Sequence, residues 1–136
     1  LFVIVHTHVR ERNLGEVYAA PFDVILENTS IVVPDLVFIS RDRLSIVTER
    51  GVEGAPDLIV EILSSGTARR DRVEKAQLYA RHGVSHYWLA DPASRTLETF
   101  ELTEGQYRVV VSLSGAAPFE PSLFPGLTIP LRDLWE

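Results

Sequence analysis

Leu58, Ile59, Val60, Glu61, Ile62 and Leu63 form a dense apolar run broken by a single carboxylate. A half-exposed strand would alternate, and an amphipathic helix would repeat every 3.6 residues; this run does neither. The pattern predicts a strand buried on both faces, in the middle of a sheet. Glu61 then sits where water is scarce, so it must be paired, hydrogen-bonded, metal-bound or protonated. Asp35 poses the same problem within Val32, Val33, Pro34, Asp35, Leu36, Val37, Phe38 and Ile39. Two buried acids on two strands suggest one shared cation.

Spacing selects the acids that share it. Asp57 and Glu61 are four residues apart on one strand, and at ~3.3 Å per residue their backbones stand roughly 13 Å apart. A magnesium ion with oxygen ligands at about 2.1 Å is not easily held by both. Asp35 can lie on a neighbouring strand only ~4.8 Å away. Asp35 and Glu61 are therefore the expected metal pair. Asp57 is expected to mark the start of its strand, through a turn or rim hydrogen bond.

Around this run the chain reads as helix, strand, strand, strand, helix, strand and hairpin. Residues 1–12 predict a helix stopped by Asn13, Leu14 and Gly15. Residues 17–26 and 31–40 predict two strands of one hairpin, turned by Glu27, Asn28, Thr29 and Ser30. A charged connection follows to Gly54, with a short helical turn around 43–46. After a turn at Ser64 to Gly66, Thr67 is the expected N-cap of a helix through His82, and Gly83 supplies its stop. Residues 86–90 predict a strand. Residues 97–102 and 106–113 predict a hairpin about Glu104 and Gly105. The proline-rich tail carries Leu123, Phe124, Leu127, Ile129 and Leu131, enough apolar surface to pack back on the domain.

On the second predicted helix, Asp71, Lys75, Tyr79 and His82 share one stripe. Lys75 is the third catalytic candidate, because its helix directly follows the strand of Glu61 and must fold back across the sheet. The plainer alternative is an exposed Asp71–Lys75 ion pair, contributing only a few tenths of a kcal/mol, with Tyr79 in the core. Arg69, Arg70 and Arg72 place positive charge at the start of the helix, opposite to what its dipole prefers. They read as a solvated face or as an anion contact. His6 and His8 point to different faces, and Ser64, Ser65 and Gly66 lack the surroundings of a nucleophile elbow.

The 136 residues fit one domain, and 46% hydrophobic with 24% charged residues describes an ordinary globular chain. No apolar stretch approaches the ~18 residues of a membrane-spanning helix. With no cysteine, disulfides, thiolate nucleophiles and cysteine-ligated metals are excluded, and a reducing, cytoplasmic setting is the expectation. A net charge of −6 argues against coating nucleic acid by bulk electrostatics, while leaving a locally basic site open. No methionine is present, so the natural N-terminus is expected upstream of Leu1.

Pro34 with Asp35, and Glu61 with Ile62 and Leu63, resemble the two half-motifs of the PD-(D/E)XK nuclease superfamily. Leu63 stands where the usual lysine would be. Several branches of that superfamily carry the lysine on the following helix, where Lys75 is placed to be such a migrated residue. More narrowly, the run from Gly54 through Pro56, Asp57 and Glu61 to Ser64, followed by Asp71, Lys75, Tyr79, Gly83, Val84, Tyr87 and Trp88, resembles the Uma-type family of bacterial restriction-endonuclease-like proteins. Ser65 replaces a proline common in that family's loop.

The resemblance implies an α/β fold with a restriction-endonuclease-like core of helix, three strands, helix and strand, a central mixed sheet and an added C-terminal hairpin. It implies Mg²⁺- or Mn²⁺-dependent hydrolysis of DNA phosphodiester bonds. Asp35 and Glu61 would be metal ligands, Lys75 the third catalytic residue, and Asp57, Asp71 and Tyr79 supporting residues. Two other readings remain: a nuclease-like module that binds DNA or protein without turnover, and a structural ion-pair network in which Lys75 neutralises Glu61. A two-fold dimer through the hairpin after Pro92 is a further expectation.

Overall fold

The computed structural model describes residues 1–27, 30–64 and 69–135, with the backbone alone for residues 69–71. Helix α1 (Phe2–Glu11) buries Val5, His8 and Val9, a spacing that keeps them on one helical face. Asn13, at φ 54°, turns the chain out of the helix. Gly15 then opens strand β1 (Gly15–Ala19) at a point of close approach. A Cβ there would lie 2.0 Å from the Ile39 carbonyl oxygen, so only glycine fits.

The expected hairpin of residues 17–26 and 31–40 is not what forms. Each segment divides between two sheets: the first into β1 and β2 (Val24–Glu27), the second into β3 (Ser30–Val32) and β4 (Leu36–Ser40). Pro21 and Pro34 stand at the two divisions, and a residue without an N–H cannot carry a ladder through. Strand β1 pairs antiparallel with β4, Val17 opposite Phe38, while β2 pairs antiparallel with β3. The turn residues Asn28 and Thr29 lie outside the described residues.

The charged connection carries a 3₁₀ helix (Arg41–Ile46) that includes the expected helical turn, then β5 (Val47–Thr48) and β6 (Gly51–Glu53). These two strands join the hairpin in a four-stranded sheet of order β3-β2-β6-β5, an addition to the elements the sequence predicts. Segments of two to four residues are too short to display a period.

Strand β7 (Leu58–Ile62) is buried from Leu58 through Glu61, as its unbroken apolar pattern predicts. It lies between β4, to which it runs antiparallel, and β8 (His86–Asp91), to which it runs parallel. A parallel neighbour requires a crossover, and helix α2 (Arg69–Arg81) provides it, ending before Gly83 at φ 82°. The cap expected at Thr67 lies outside the described residues. Strands β9 (Thr96–Thr103) and β10 (Gln106–Ser114) form the predicted hairpin, with Glu104 and Gly105 at positive φ in its turn.

The main sheet therefore has the order β1-β4-β7-β8-β9-β10. On one face, Val17, Leu36, Phe38, Leu58, Val60 and Trp88 pack with α1 and with the tail. The tail contributes β11 (Pro118–Phe119), β12 (Ile129–Pro130) and α3 (Arg132–Trp135), burying Phe119, Phe124, Ile129 and Leu131. On the other face, Val37, Ile39, Ile59, Tyr87 and Leu89 pack with Tyr79 of α2 and with Val24 and Val52 of the small sheet. This is the expected mixed α/β architecture. The core order of helix, three strands, helix and strand is α1, β1, β4, β7, α2 and β8, with the small sheet inserted. No helix among the described residues is long and apolar enough to cross a membrane.

Candidate active site

The register of β4 and β7 decides where the acids meet. Leu36 is opposite Val60, so the next residue outward, Asp35, falls in line with Glu61. Residues in register on antiparallel strands have Cα atoms about 4.5–5.5 Å apart. Both side chains project to the α2 face. They line one cavity of about 210 Å³ together with Val33, Arg72 and Lys75.

Asp35 Oδ2 accepts a hydrogen bond from the Ile62 N–H at 2.7 Å, which ties the end of β4 to β7. Glu61 has two partners on α2, one on each oxygen. The Tyr79 hydroxyl donates to Oε1 at 2.6 Å, and Lys75 Nζ stands 3.6 Å from Oε2. Lys75 and Tyr79 reach the same carboxylate because they are four apart on a helix, as the predicted stripe requires. Glu61 is 7% exposed and Tyr79 fully buried.

Burial pushes the Glu61 carboxyl above its ordinary value; the Tyr79 hydrogen bond and the Lys75 charge pull it down, and the Asp35 charge pushes it up again. Burial and the Glu61 charge raise the Tyr79 hydroxyl in turn, so it stays a proton donor. The balance of opposing pulls at Glu61 marks it as the electrostatic centre of the site.

Asp57 takes no part in this cluster. Its Oδ2 accepts from the Ser40 N–H at 2.7 Å and pairs with Arg43 Nη1 at 3.2 Å, while Arg43 Nη2 donates to the Ala55 carbonyl. Asp57 thus holds the 3₁₀ helix against the start of β7. The Asp71 side chain lies outside the described residues. His82 stands 3.6 Å from Glu27 and does not line the cavity of Asp35 and Glu61. His8 is buried in the α1 face against Phe124, where burial lowers its pKa.

Arg72, expected on a solvated face or at an anion contact, lines the cavity. Val33, Ile62 and Leu63 also line it. No chemical signal marks those apolar residues, since their contribution is position alone.

The sequence matches the Uma2 family, described as "Putative restriction endonuclease", over residues 1–132. The chain belongs to the Uma2 family. Among solved structures it is similar to a protein from Anabaena variabilis ATCC 29413 described as a "putative nuclease belonging to DUF820". The two share 20% identity and superpose with a TM-score of 0.73, covering 98% of this chain and 75% of that one. At that identity the likeness shows the fold. No curated protein matches the sequence. Membership of Uma2 supports a nuclease function for the chain, and the Asp35, Glu61 and Lys75 cavity lies within the matched residues.

Proposed function

We propose that this protein is a metal-dependent endonuclease that hydrolyses DNA phosphodiester bonds at the cavity of Asp35, Glu61 and Lys75. One observation carries the reading: two carboxylates on adjacent central strands meet a lysine from the crossover helix in a single polar cavity. Its donors are oxygens, the chemistry that suits Mg²⁺ or Mn²⁺. Asp35 raises the Glu61 pKa against the opposing pull of Lys75, and a divalent cation between the two acids would relieve that repulsion. Among the described residues no group of three or more His, Asp or Glu side chains forms a full cage. A site with two carboxylates fits an ion that keeps several water ligands.

Asp35 and Glu61 would hold this ion, which when bound supplies Lewis-acid activation of water and positive charge against the phosphate. The protein's own part is preorganisation. The Ile62 N–H fixes Asp35, and Tyr79 fixes one oxygen of Glu61 while Lys75 stands at the other. Lys75 lines the cavity with its charge already in place, where it can stabilise the negative charge that grows on the phosphoryl oxygens. Lys75 thereby takes the part left vacant by Leu63.

The experiment is incubation of the protein with single- and double-stranded DNA and RNA, in Mg²⁺, Mn²⁺ or chelator. Metal-dependent DNA cleavage, abolished by chelation, is the expected result. Absence of cleavage with any nucleic acid or metal would instead favour the non-catalytic binding module.

A further inference from the structure

The cavity has a second cationic residue to which the mechanism above gives no task. Arg72 lies on α2 one turn before Lys75, and it lines the same space as Asp35 and Glu61. Among the described residues its guanidinium makes no hydrogen bond or ion pair. The acids beside it are engaged elsewhere, Asp35 with the Ile62 N–H and Glu61 with Tyr79 and Lys75. Arg72 also sits in the first turn of its helix, where the dipole disfavours positive charge. A cation held at that end, beside acids it does not pair with, is poised for an anion from outside.

We propose that Arg72 is the phosphate-gripping residue of the site, binding non-bridging oxygens of the substrate phosphodiester in the cavity it shares with the carboxylate pair. The proposal rests on the phosphodiesterase reading. A nucleic-acid strand entering here meets two carboxylates and a protein of net charge −6, so bulk attraction does not bring it in. A local donor must. The guanidinium is a planar fork whose parallel N–H groups match two oxygens of one phosphate, which a lysine ammonium does not reproduce. Lys75 is already beside Glu61 and acts on charge in the transition state, leaving Arg72 the ground-state hold on the strand. The residue therefore acts mainly on KM and Lys75 mainly on kcat.

The test combines binding and turnover. In the Glu61→Gln protein, which is expected not to cleave, fluorescence anisotropy with labelled single-stranded and duplex DNA is measured across a salt series. Arg72→Gln is expected to weaken binding about tenfold and to reduce the salt slope by about 0.7–0.9, the loss of one phosphate contact. Arg72→Lys should restore the slope without the full affinity. Arg108→Gln, exposed on β10, should change neither. In the cleaving protein, Arg72→Gln should raise KM about tenfold with kcat within a few-fold of wild type. Glutamine forms helices well, so α2 should be retained, as circular dichroism will check. Unchanged affinity, slope and KM in Arg72→Gln would overturn the proposal while a cleaving wild type leaves the nuclease reading standing; so would an equal loss in Arg108→Gln. A wild type that does not cleave, with a Glu61→Gln protein that binds no DNA, would overturn both.

Discussion

Tyr79 donates its hydroxyl to Glu61 Oε1 at 2.6 Å, joining the crossover helix to the central strand inside the core. The contact bridges 18 positions of chain, it orients the acid that faces Asp35, and it opposes the burial that raises that acid's pKa. Without it, one oxygen of a carboxylate with 7% exposure would lose its hydrogen-bond donor.

Tyr79→Phe should destabilise the protein by about 1–3 kcal/mol, the usual cost of leaving a buried charged acceptor without its donor. It should also push the Glu61 pKa further up, because the hydrogen bond is the first of the influences that lower it. Urea denaturation gives the first quantity. The acidic limb of the cleavage profile, moved to higher pH, reports the second.

The Glu61 contribution to metal-free stability should fall as pH rises through its raised folded value. The Glu61 carboxyl is raised in the fold above its ordinary 4.5, so the folded state binds its proton more firmly than the unfolded state does. That contribution is fully present below the unfolded value and is lost as pH climbs through the raised folded value. In chelator, Glu61→Gln should lack this contribution and melt above wild type at neutral pH. A steeper decline in the variant than in wild type would contradict the sign.

Mg²⁺ or Mn²⁺ should raise the melting temperature, since a ligand selective for the folded state stabilises it by mass action. Asp35→Asn and Glu61→Ala should each abolish that response, and asparagine can still accept the Ile62 N–H that holds the strand end. Asp57→Ala should lose about 1–2 kcal/mol with its Ser40 and Arg43 contacts, yet keep the full metal-induced shift. Differential scanning fluorimetry with and without chelator decides all three. A metal response lost in Asp57→Ala and kept in Asp35→Asn would reverse the ligand assignment.

Lys75→Ala should keep nearly all of the metal response and cut DNA cleavage tenfold or more, because removing one transition-state charge contact costs about 3 kcal/mol. Alanine is the best helix former, so α2 should persist. Single-turnover cleavage at the wild-type rate would remove Lys75 from the mechanism.

Composition and pattern by themselves were enough for the buried central strand, because a run such as Leu58 to Leu63 is stable only with both faces covered. They were also enough for the Lys75 and Tyr79 stripe, because helical geometry places residues four apart on one side, and for the separation of Asp57 from Glu61, because a strand has a fixed rise. Pairing was a different matter. Whether 17–26 continues as one strand depends on which partner lies beside it, and Pro21 and Pro34 break the ladder so that each segment serves two sheets. The strands of the small sheet, two to four residues long, have no pattern of their own and form only against neighbours distant in sequence, as β2 does in pairing with β6. Tertiary structure alone decided the hydroxyl on Glu61, the clamp of Asp57 by Arg43, and the place of Arg72 in the cavity. The first two join side chains far apart in the chain, and the third is a position in a cavity built from β4, β7 and α2; none exists until strand register and packing have brought those segments together.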